Sequence, residues 1–237
     1  MLFLSALTFL LGSGVASTLP QKWLYLGQVA AMVVVATYLF RRLFFGTSRS
    51  LHLVLLVGLV LGTLFRSLST FLQRMLSPDD FVVLQDQLFA SFNTVQRELL
   101  ALSSLLTFVV LILIWRRRYV YDILALGREN AVNLGLEYRA EVTRLMVYIA
   151  VLVSVSTALV GPVTFFGLLV ANLAYQTAAS YRHAHVLPMA VMIGAVTLIA
   201  GQTVLERLLG FDTALSIVVE FLGGIVFIAL LIRGSHR

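Results

Sequence analysis

Long apolar runs recur along this chain, and they limit its fold more than any other feature. Eight such segments follow one another at residues 2–15, 23–45, 51–67, 99–115, 143–160, 164–179, 186–204 and 214–232. A run of roughly 18 apolar residues is long enough to cross a bilayer core about 30 Å thick. Backbone in lipid must satisfy its own hydrogen bonds, so repeated runs of this length predict transmembrane helices. The predicted fold class is therefore an all-α, polytopic membrane protein.

The composition leaves no room for a soluble domain beside these segments. Hydrophobic residues make up 60% of the 237 residues and charged residues only 12%, with a mean hydropathy of +0.98. A typical soluble domain carries about 25% charged residues. We therefore predict a single transmembrane domain over residues 1–237. Cysteine is absent from the sequence, which excludes disulfides and thiolate metal sites.

The basic residues predict how the segments are oriented. If successive segments alternate in direction, the 17 lysines and arginines divide into twelve on one side of the membrane and five on the other. Cytoplasmic loops carry the excess of basic residues, so we expect the side with twelve, and both termini, in the cytoplasm. Short basic clusters beside apolar segments argue against nucleic-acid binding. The twelve are Arg41, Arg42, Arg49, Arg116, Arg117, Arg118, Arg128, Arg139, Arg144, Arg182, Arg233 and Arg237.

Two connections between segments are too long to be simple turns. Residues 68–98 are predicted to be external, with short amphipathic helices at about 68–76 and 81–93 on either side of a Ser-Pro-Asp-Asp turn. Residues 119–142 are predicted to be cytoplasmic and have apolar residues at helical spacing, interrupted by Gly127 and Gly135. Because glycine permits the positive φ of a sharp turn, two short helices joined at these glycines are expected. Such amphipathic structure is typical of a docking surface.

Two motifs connect the sequence with a known family. Residues 126–136, LGRENAVNLGL, resemble the LG-x-E-x-A-x-x-LG-hydrophobic cytoplasmic element of iron-chelate and vitamin B12 permeases. Residues 158–170, ALVGPVTFFGLLV, resemble the AGPIGFVGLIV signature of the same proteins. With their order and spacing, the motifs make the chain resemble the FecCD and vitamin B12-type ABC transporter permeases. The resemblance implies the type II ABC importer permease fold.

Further stretches resemble one branch of that family. LFASFN at 88–93, the run at 158–174 and FLGGIVFIALLI at 221–232 resemble permeases for catecholate and mixed catecholate–carboxylate siderophores, such as petrobactin, enterobactin-like and anguibactin chelates. Ala171-Asn172 stands where commoner members have Pro-His, a departure that this branch shares. Family members have ten transmembrane helices. This chain resembles them from the third helix onward, so we expect about eight helices, with the first two missing.

The resemblance implies an import function and several partners. The chain would be the permease subunit that moves a ferric siderophore, of catecholate type, across the bacterial inner membrane; another iron chelate, haem or cobalamin is the alternative substrate. It would not be an enzyme, would hold no cofactor or metal, and would pair with an ATP-binding subunit that carries ATP and magnesium. The other implied partners are a second permease subunit, identical or paralogous, and a periplasmic or lipoprotein siderophore-binding protein. A secondary transporter is disfavoured, because only Glu220 is ionisable deep within a segment.

The same resemblance assigns candidate functional residues. Residues 119–142, here called the coupling element, would dock on the ATP-binding subunit and transmit its closure to the membrane helices. An exposed Arg207 would contact the binding protein. The coupling residues are Leu126, Gly127, Arg128, Glu129, Ala131, Leu134 and Gly135, and the residues of the translocation pathway are Arg66, Ser67, Thr164, Asn172 and Glu220.

Several of these residues have a plainer interpretation that stays open. Arg66 can attract an anionic chelate or extend to the lipid headgroups. Asn172 can face the pathway or join two helices by a hydrogen bond. Glu220 can contact substrate or form a structural ion pair with Arg66 or Arg207. His183 and His185 lack the carboxylate or cysteine support of a metal site, which favours an ordinary interfacial loop.

Overall fold

A computed structural model describes residues 21–44, 51–75, 97–161, 163, 166–207, 221 and 223–225. Those residues are overwhelmingly helical, which confirms the all-α prediction. The predicted segment 2–15, the predicted helix 81–93 and nearly all of segment 214–232 lie outside them. The described helices are α1 (Gln21–Phe44), α2 (Leu51–Gln73), α3 (Arg97–Arg116), α4 (Arg118–Leu124), α5 (Arg128–Asn133), α6 (Tyr138–Val160), α7 (Phe166–Thr177) and α8 (His183–Arg207).

Four of these helices are long and apolar enough to cross a membrane, judged over the described residues. The spans lie in α2, α3, α6 and α8. Helix α1 has 24 residues and is therefore about 36 Å long. Helix α7, in contrast, has 12 residues and is about 18 Å long, which is shorter than the apolar segment 164–179 from which it was predicted.

Helix α2 differs from its prediction at its end. We expected a separate short helix at 68–76, but α2 continues without a break to Gln73. The hydroxyl of Ser69 donates to the Phe65 carbonyl at 2.8 Å, and that of Thr70 donates to the Arg66 carbonyl at 3.0 Å. Because these polar side chains bond to the preceding turn of their own helix, they do not interrupt it.

The described helices divide into two compact units. The first contains α1, α2, α6 and the part of α3 up to Ile112. The second contains the end of α3 together with α4, α5, α7 and α8. That residues 1–237 form a single transmembrane domain stays a prediction.

A buried polar contact fixes the packing of the first unit. The Tyr25 hydroxyl lies 2.6 Å from Ser103 Oγ and donates to the Val155 carbonyl at 3.2 Å. The Ser103 hydroxyl donates to the Leu99 carbonyl at 2.6 Å. Apolar side chains of α1, α3 and α6 surround this group. We call Tyr25, Ser103 and Val155 the membrane node, since it joins three helices inside an apolar setting.

The contacts of the first unit also order its helices by direction. The Lys22 ammonium lies 2.8 Å from a Glu98 carboxylate oxygen, so the beginnings of α1 and α3 lie at one end. The membrane node places the end of α6 at that same end. At the other end, Arg41, Arg139 and Arg144 line one open pocket. These directions agree with the predicted alternation of the segments. The three arginines at the pocket also belong to the set that was predicted to lie on one side of the membrane.

In the second unit, α7 and α8 run antiparallel. Leu205, near the end of α8, packs against Phe166, the first residue of α7, and against Val163, which precedes that helix. Gly194 of α8 also faces α7. A Cβ added at this glycine would lie 3.6 Å from the Phe166 side chain and 3.9 Å from that of Val170, which are ordinary contact distances. Segments six and seven were predicted to run in opposite directions, and their contacts confirm it. The short helix α4 packs against α8 as well.

Candidate functional site

The coupling element folds as the glycine pattern predicted. Helix α4 ends at Leu124, and the N–H of Gly127 donates to the Leu124 carbonyl at 3.1 Å. Gly127 has φ of +90° and Gly135 has φ of +82°. Helix α5 therefore begins and ends at left-handed glycines, a conformation that is unfavourable for residues with a Cβ. Two short helices bent at glycines are what the sequence predicted for residues 119–142.

Apolar side chains of this element are exposed. Leu126 is 57% exposed and Leu134 is 61% exposed, whereas Ala131 is completely buried. Arg128 and Glu129 are exposed as well. We call Leu126, Arg128, Glu129 and Leu134 the docking face. Exposed leucines beside charged groups are typical of a surface that buries its apolar part against a partner.

The turn between the two short helices is held by its own hydrogen bonds. The side-chain amide of Asn130 donates to the Leu126 carbonyl at 2.8 Å. The N–H of Ala131 donates to the Gly127 carbonyl at 3.0 Å, and that of Gly135 donates to the Val132 carbonyl at 2.9 Å. These bonds hold the turns on either side of α5.

At the junction between α3 and α4, an arginine side chain lies against two aromatic rings. The Arg118 guanidinium lies 4.8 Å from the ring centre of Trp115 and 4.5 Å from that of Tyr119. It also donates to the Trp115 carbonyl at 3.1 Å and to the Tyr119 hydroxyl at 3.0 Å. Aromatic and basic side chains together are typical of a membrane interface. The coupling element therefore begins at the end of a membrane-spanning helix.

Sequence reasoning missed one contact of the coupling element. Asp122 Oδ1 accepts hydrogen bonds from the His183 backbone N–H at 2.8 Å and contacts His183 Nδ1 at 2.7 Å. His183 is therefore the first residue of α8, bonded to α4, and not part of the ordinary loop that we expected. The two residues are 61 positions apart, and no local pattern in the sequence pairs them.

The Asp122 carboxyl is ionised more readily than usual. Burial by itself raises the pKa of this carboxyl. The backbone and side-chain hydrogen bonds of His183, with the nearby Arg182, outweigh burial and hold the pKa of Asp122 below its ordinary value. A charged carboxylate thus lies at the N-terminus of α8, where the helix dipole favours negative charge.

The proposed pathway residues are only partly described. Arg66 and Ser67 are exposed neighbours on α2 in the first unit. Asn172 lies on α7 in the second unit, where its side-chain amide donates to the Leu168 carbonyl at 2.9 Å within the same helix. Thr164 and Glu220 lie outside the described residues. The pathway assignment therefore stays a prediction.

The remaining candidates lie at helix ends. Arg207 is the exposed last residue of α8, next to Glu206, whose carboxylate accepts a hydrogen bond from Gln202 at 2.7 Å. Gly161 follows α6 with φ of +105°, as a tight turn before α7 requires, and Pro162 lies outside the described residues. Docking of a binding protein at Arg207 stays a prediction.

The sequence matches the FecCD transport family over residues 1–233. It is 40% identical over 233 residues to the petrobactin import system permease protein YclO of Bacillus subtilis, covering 98% of this chain and 74% of that protein. It is 35% identical over 209 residues to the petrobactin import system permease protein FatC of Bacillus anthracis, covering 88% of this chain and 59% of that protein. The chain thus spans about three quarters of one relative and less than two thirds of the other.

The fold has a counterpart among solved structures. A chain of a protein assigned to the metal-chelate type of ABC transporters, in an inward-facing conformation, superposes with a TM-score of 0.80. The match covers 97% of this chain and 72% of the other, at 20% sequence identity. At that identity the comparison confirms the permease fold.

Proposed function

This chain belongs to the FecCD transport family, and from that premise we propose that it is the membrane permease subunit of an ATP-driven importer for a ferric siderophore. It lies in the bacterial inner membrane with both termini and the coupling element in the cytoplasm. The chain performs no chemistry of its own. An ATP-binding partner holds ATP and magnesium, and this chain holds no cofactor.

The observation that carries this proposal is the docking face. Its two leucines are more than half exposed although the face is rigid, being fixed by glycine turns and internal hydrogen bonds. A rigid exposed apolar surface with flanking charges is suited to a protein partner. Because the element begins where a membrane-spanning helix ends, force on the docking face passes directly to that helix.

The substrate that we propose is a ferric catecholate or mixed catecholate–carboxylate chelate of the petrobactin type. Both relatives compared above are named as petrobactin permeases, at 40% and 35% identity. A ferric chelate of this class is anionic, and an exposed cation such as Arg66 on α2 would attract it. Specificity would reside mainly in a binding protein that docks outside, at Arg207, and a second permease subunit would complete the pathway.

Uptake by reconstituted vesicles tests the proposal. The chain is combined with its candidate ATP-binding subunit, permease partner and binding protein, and uptake of radiolabelled ferric petrobactin and of cobalamin is measured with and without ATP. We expect ATP-dependent uptake of ferric petrobactin only. Gly135→Pro should abolish both uptake and co-purification of the ATP-binding subunit, because proline fixes φ near −65° and cannot adopt the conformation of Gly135.

One result would overturn the proposed transport mechanism, and another would overturn the proposed substrate. Uptake of ferric petrobactin without any ATP-binding subunit would identify a secondary transporter. ATP-dependent uptake of cobalamin, with none of the siderophore, would keep the importer but replace its substrate.

A further inference from the structure

The contact between α4 and α8 joins the coupling element to a membrane-spanning helix at a single carboxylate. Asp122 Oδ1 receives both the backbone N–H and the imidazole nitrogen of His183, at 2.8 and 2.7 Å. The side chains of His183 and Asp122 are 21% and 26% exposed, so water has limited access to the contact. Hydrogen bonds to a charged acceptor are stronger than neutral ones. The contact is therefore directional and short.

The packing around the contact makes it stiff on the side of α4. Tyr121 is buried, and its ring meets the His183 ring edge-on at 5.9 Å between centres. The N–H of Ala125 donates to the Tyr121 carbonyl at 3.0 Å, which extends the helical hydrogen bonding one residue past the end of α4, toward Gly127. A displacement of the docking face therefore carries Asp122 with it.

On the side of α8, the contact meets the N-terminal end of the helix. The first N–H groups of a helix have no partner within the helix, and Asp122 supplies one for His183. Pro188 lies five residues farther along α8. Proline lacks an N–H and interrupts the ladder of helical hydrogen bonds. The first turn of α8 is thus less firmly held by the rest of its own helix, and an external contact can direct it.

We propose that Asp122 is a positioning residue that makes the first turn of α8 follow the coupling element during ATP-driven import. The inference rests on the proposed function and adds to it a second helix that moves with the coupling element. Besides α3, which continues into α4, helix α8 would receive the movement through the Asp122–His183 contact. Asp122 is neither one of the predicted pathway residues nor part of the docking face, so we expect its effect in coupling and not in binding.

Transport per ATP hydrolysed is the readout that separates coupling from folding. In the reconstituted complex, Asp122→Ala should lower ferric petrobactin taken up per ATP by roughly 5-fold or more, with the ATP-binding subunit still bound and still hydrolysing ATP. Asp122→Asn keeps an acceptor oxygen for the His183 N–H and should give an intermediate ratio. Glu98→Gln removes a carboxylate from an exposed ion pair within the first unit and should leave the ratio unchanged.

A reversible cross-link tests whether the contact persists through the cycle. The sequence contains no cysteine, so Asp122→Cys with His183→Cys introduces the only thiol pair. Under oxidising conditions the bonded variant should regain most of the uptake per ATP, and reduction should lower it again. If the oxidised form is blocked and the reduced form is active, α4 and α8 must separate during transport, and the inference is wrong.

The outcomes distinguish this inference from the proposed function. If the unsubstituted complex shows no ATP-dependent uptake, the proposed function fails. If that complex transports and Asp122→Ala keeps the same uptake per ATP, only the inference fails. If Asp122→Ala loses the ATP-binding subunit or does not assemble, the contact supports folding alone, and the positioning role is equally overturned.

Discussion

Two polar contacts, one in each unit, tie helices together in different ways. The membrane node of Tyr25, Ser103 and Val155 is enclosed by apolar side chains of three helices. The contact of Asp122 with His183 is partly open and lies beside a glycine-bent element whose leucines are exposed. The first arrangement is suited to holding helices still. The second is suited to passing on a movement, because its surroundings are not closed around it.

The comparison separates effects on stability from effects on function. Changes at the membrane node should alter unfolding and leave the affinity for an ATP-binding subunit unaltered. Changes at the docking face should do the reverse, since exposed side chains contribute little to the fold. Four predictions test this division, in order of decreasing effect.

The largest effect is expected at the docking face. Leu126→Glu with Leu134→Glu places two charges where an interface needs apolar surface, and should weaken binding of the ATP-binding subunit by at least about 30-fold, equivalent to a hot-spot loss of about 2 kcal/mol. The melting temperature should not move, because both leucines are already exposed. Binding is measured by titration in detergent. Leu126→Met with Leu134→Met, which conserves apolar volume, is the matched control, and equal binding by both double variants would contradict the docking assignment.

A smaller effect is expected from one methyl group at a glycine. Neither Gly135 nor Gly27 has any atom within 4 Å of an added Cβ, but only Gly135 has positive φ. Gly135→Ala should therefore cost about 1–2 kcal/mol of local stability and weaken partner binding by roughly 5- to 30-fold. Gly27→Ala, in helix α1, should have no such effect. Binding isotherms of the two variants give the comparison, and similar affinities would mean that the bend is not needed for docking.

At the membrane node the expected effect is on stability alone. Tyr25→Phe removes the hydroxyl that contacts Ser103 and Val155, and should lower the free energy of unfolding by about 1 kcal/mol. Tyr38→Phe is the control, because the Tyr38 hydroxyl is exposed and its bond to Arg42 is 3.5 Å long. Unfolding in mixed micelles is the measurement. An unchanged Tyr25→Phe protein would show that the node is not a stabilising contact.

The smallest effect concerns pH. The pKa of Asp122 is lowered in the folded protein, so its contribution is present above the ordinary value of about 3.9 and is lost as the pH falls through the folded-state value. The hydrogen-exchange protection that the Asp122 carboxylate gives to the start of α8 should therefore be the same at about pH 8 and pH 5. It should decline only in stronger acid. Asp122→Asn should remove that acid transition. A transition that persists in the variant would assign it to another group.

The two contacts also differ in how far the sequence predicted their surroundings. The bends at Gly127 and Gly135 were predicted because glycine has a local reason to lie at a sharp turn. The membrane spans of α3, α6 and α8 followed from apolar runs, since a bilayer requires helices of a minimum length.

What the sequence did not predict depends on contacts between distant residues. Tyr25 and Ser103 are single polar residues within apolar segments, and their 78-residue separation leaves no spacing that pairs them. Asp122 reads as one polar position of an amphipathic helix, and His183 reads as part of a loop. The unbroken end of α2 was missed for a different reason. The apolar segment was predicted to end at residue 67, but the hydroxyls of Ser69 and Thr70 bond within the helix, which continues past that point.

The central claim is that the coupling element is a cytoplasmic surface for an ATP-binding subunit. Because the sequence has no cysteine, Glu129→Cys and Arg207→Cys each provide a single thiol for a membrane-impermeant maleimide. In intact spheroplasts we expect labelling of the Arg207→Cys protein alone. In inside-out vesicles we expect the Glu129→Cys protein to react, and to become protected when the ATP-binding subunit is added. Labelling of Glu129→Cys from outside, or labelling that the added subunit does not change, would contradict the claim.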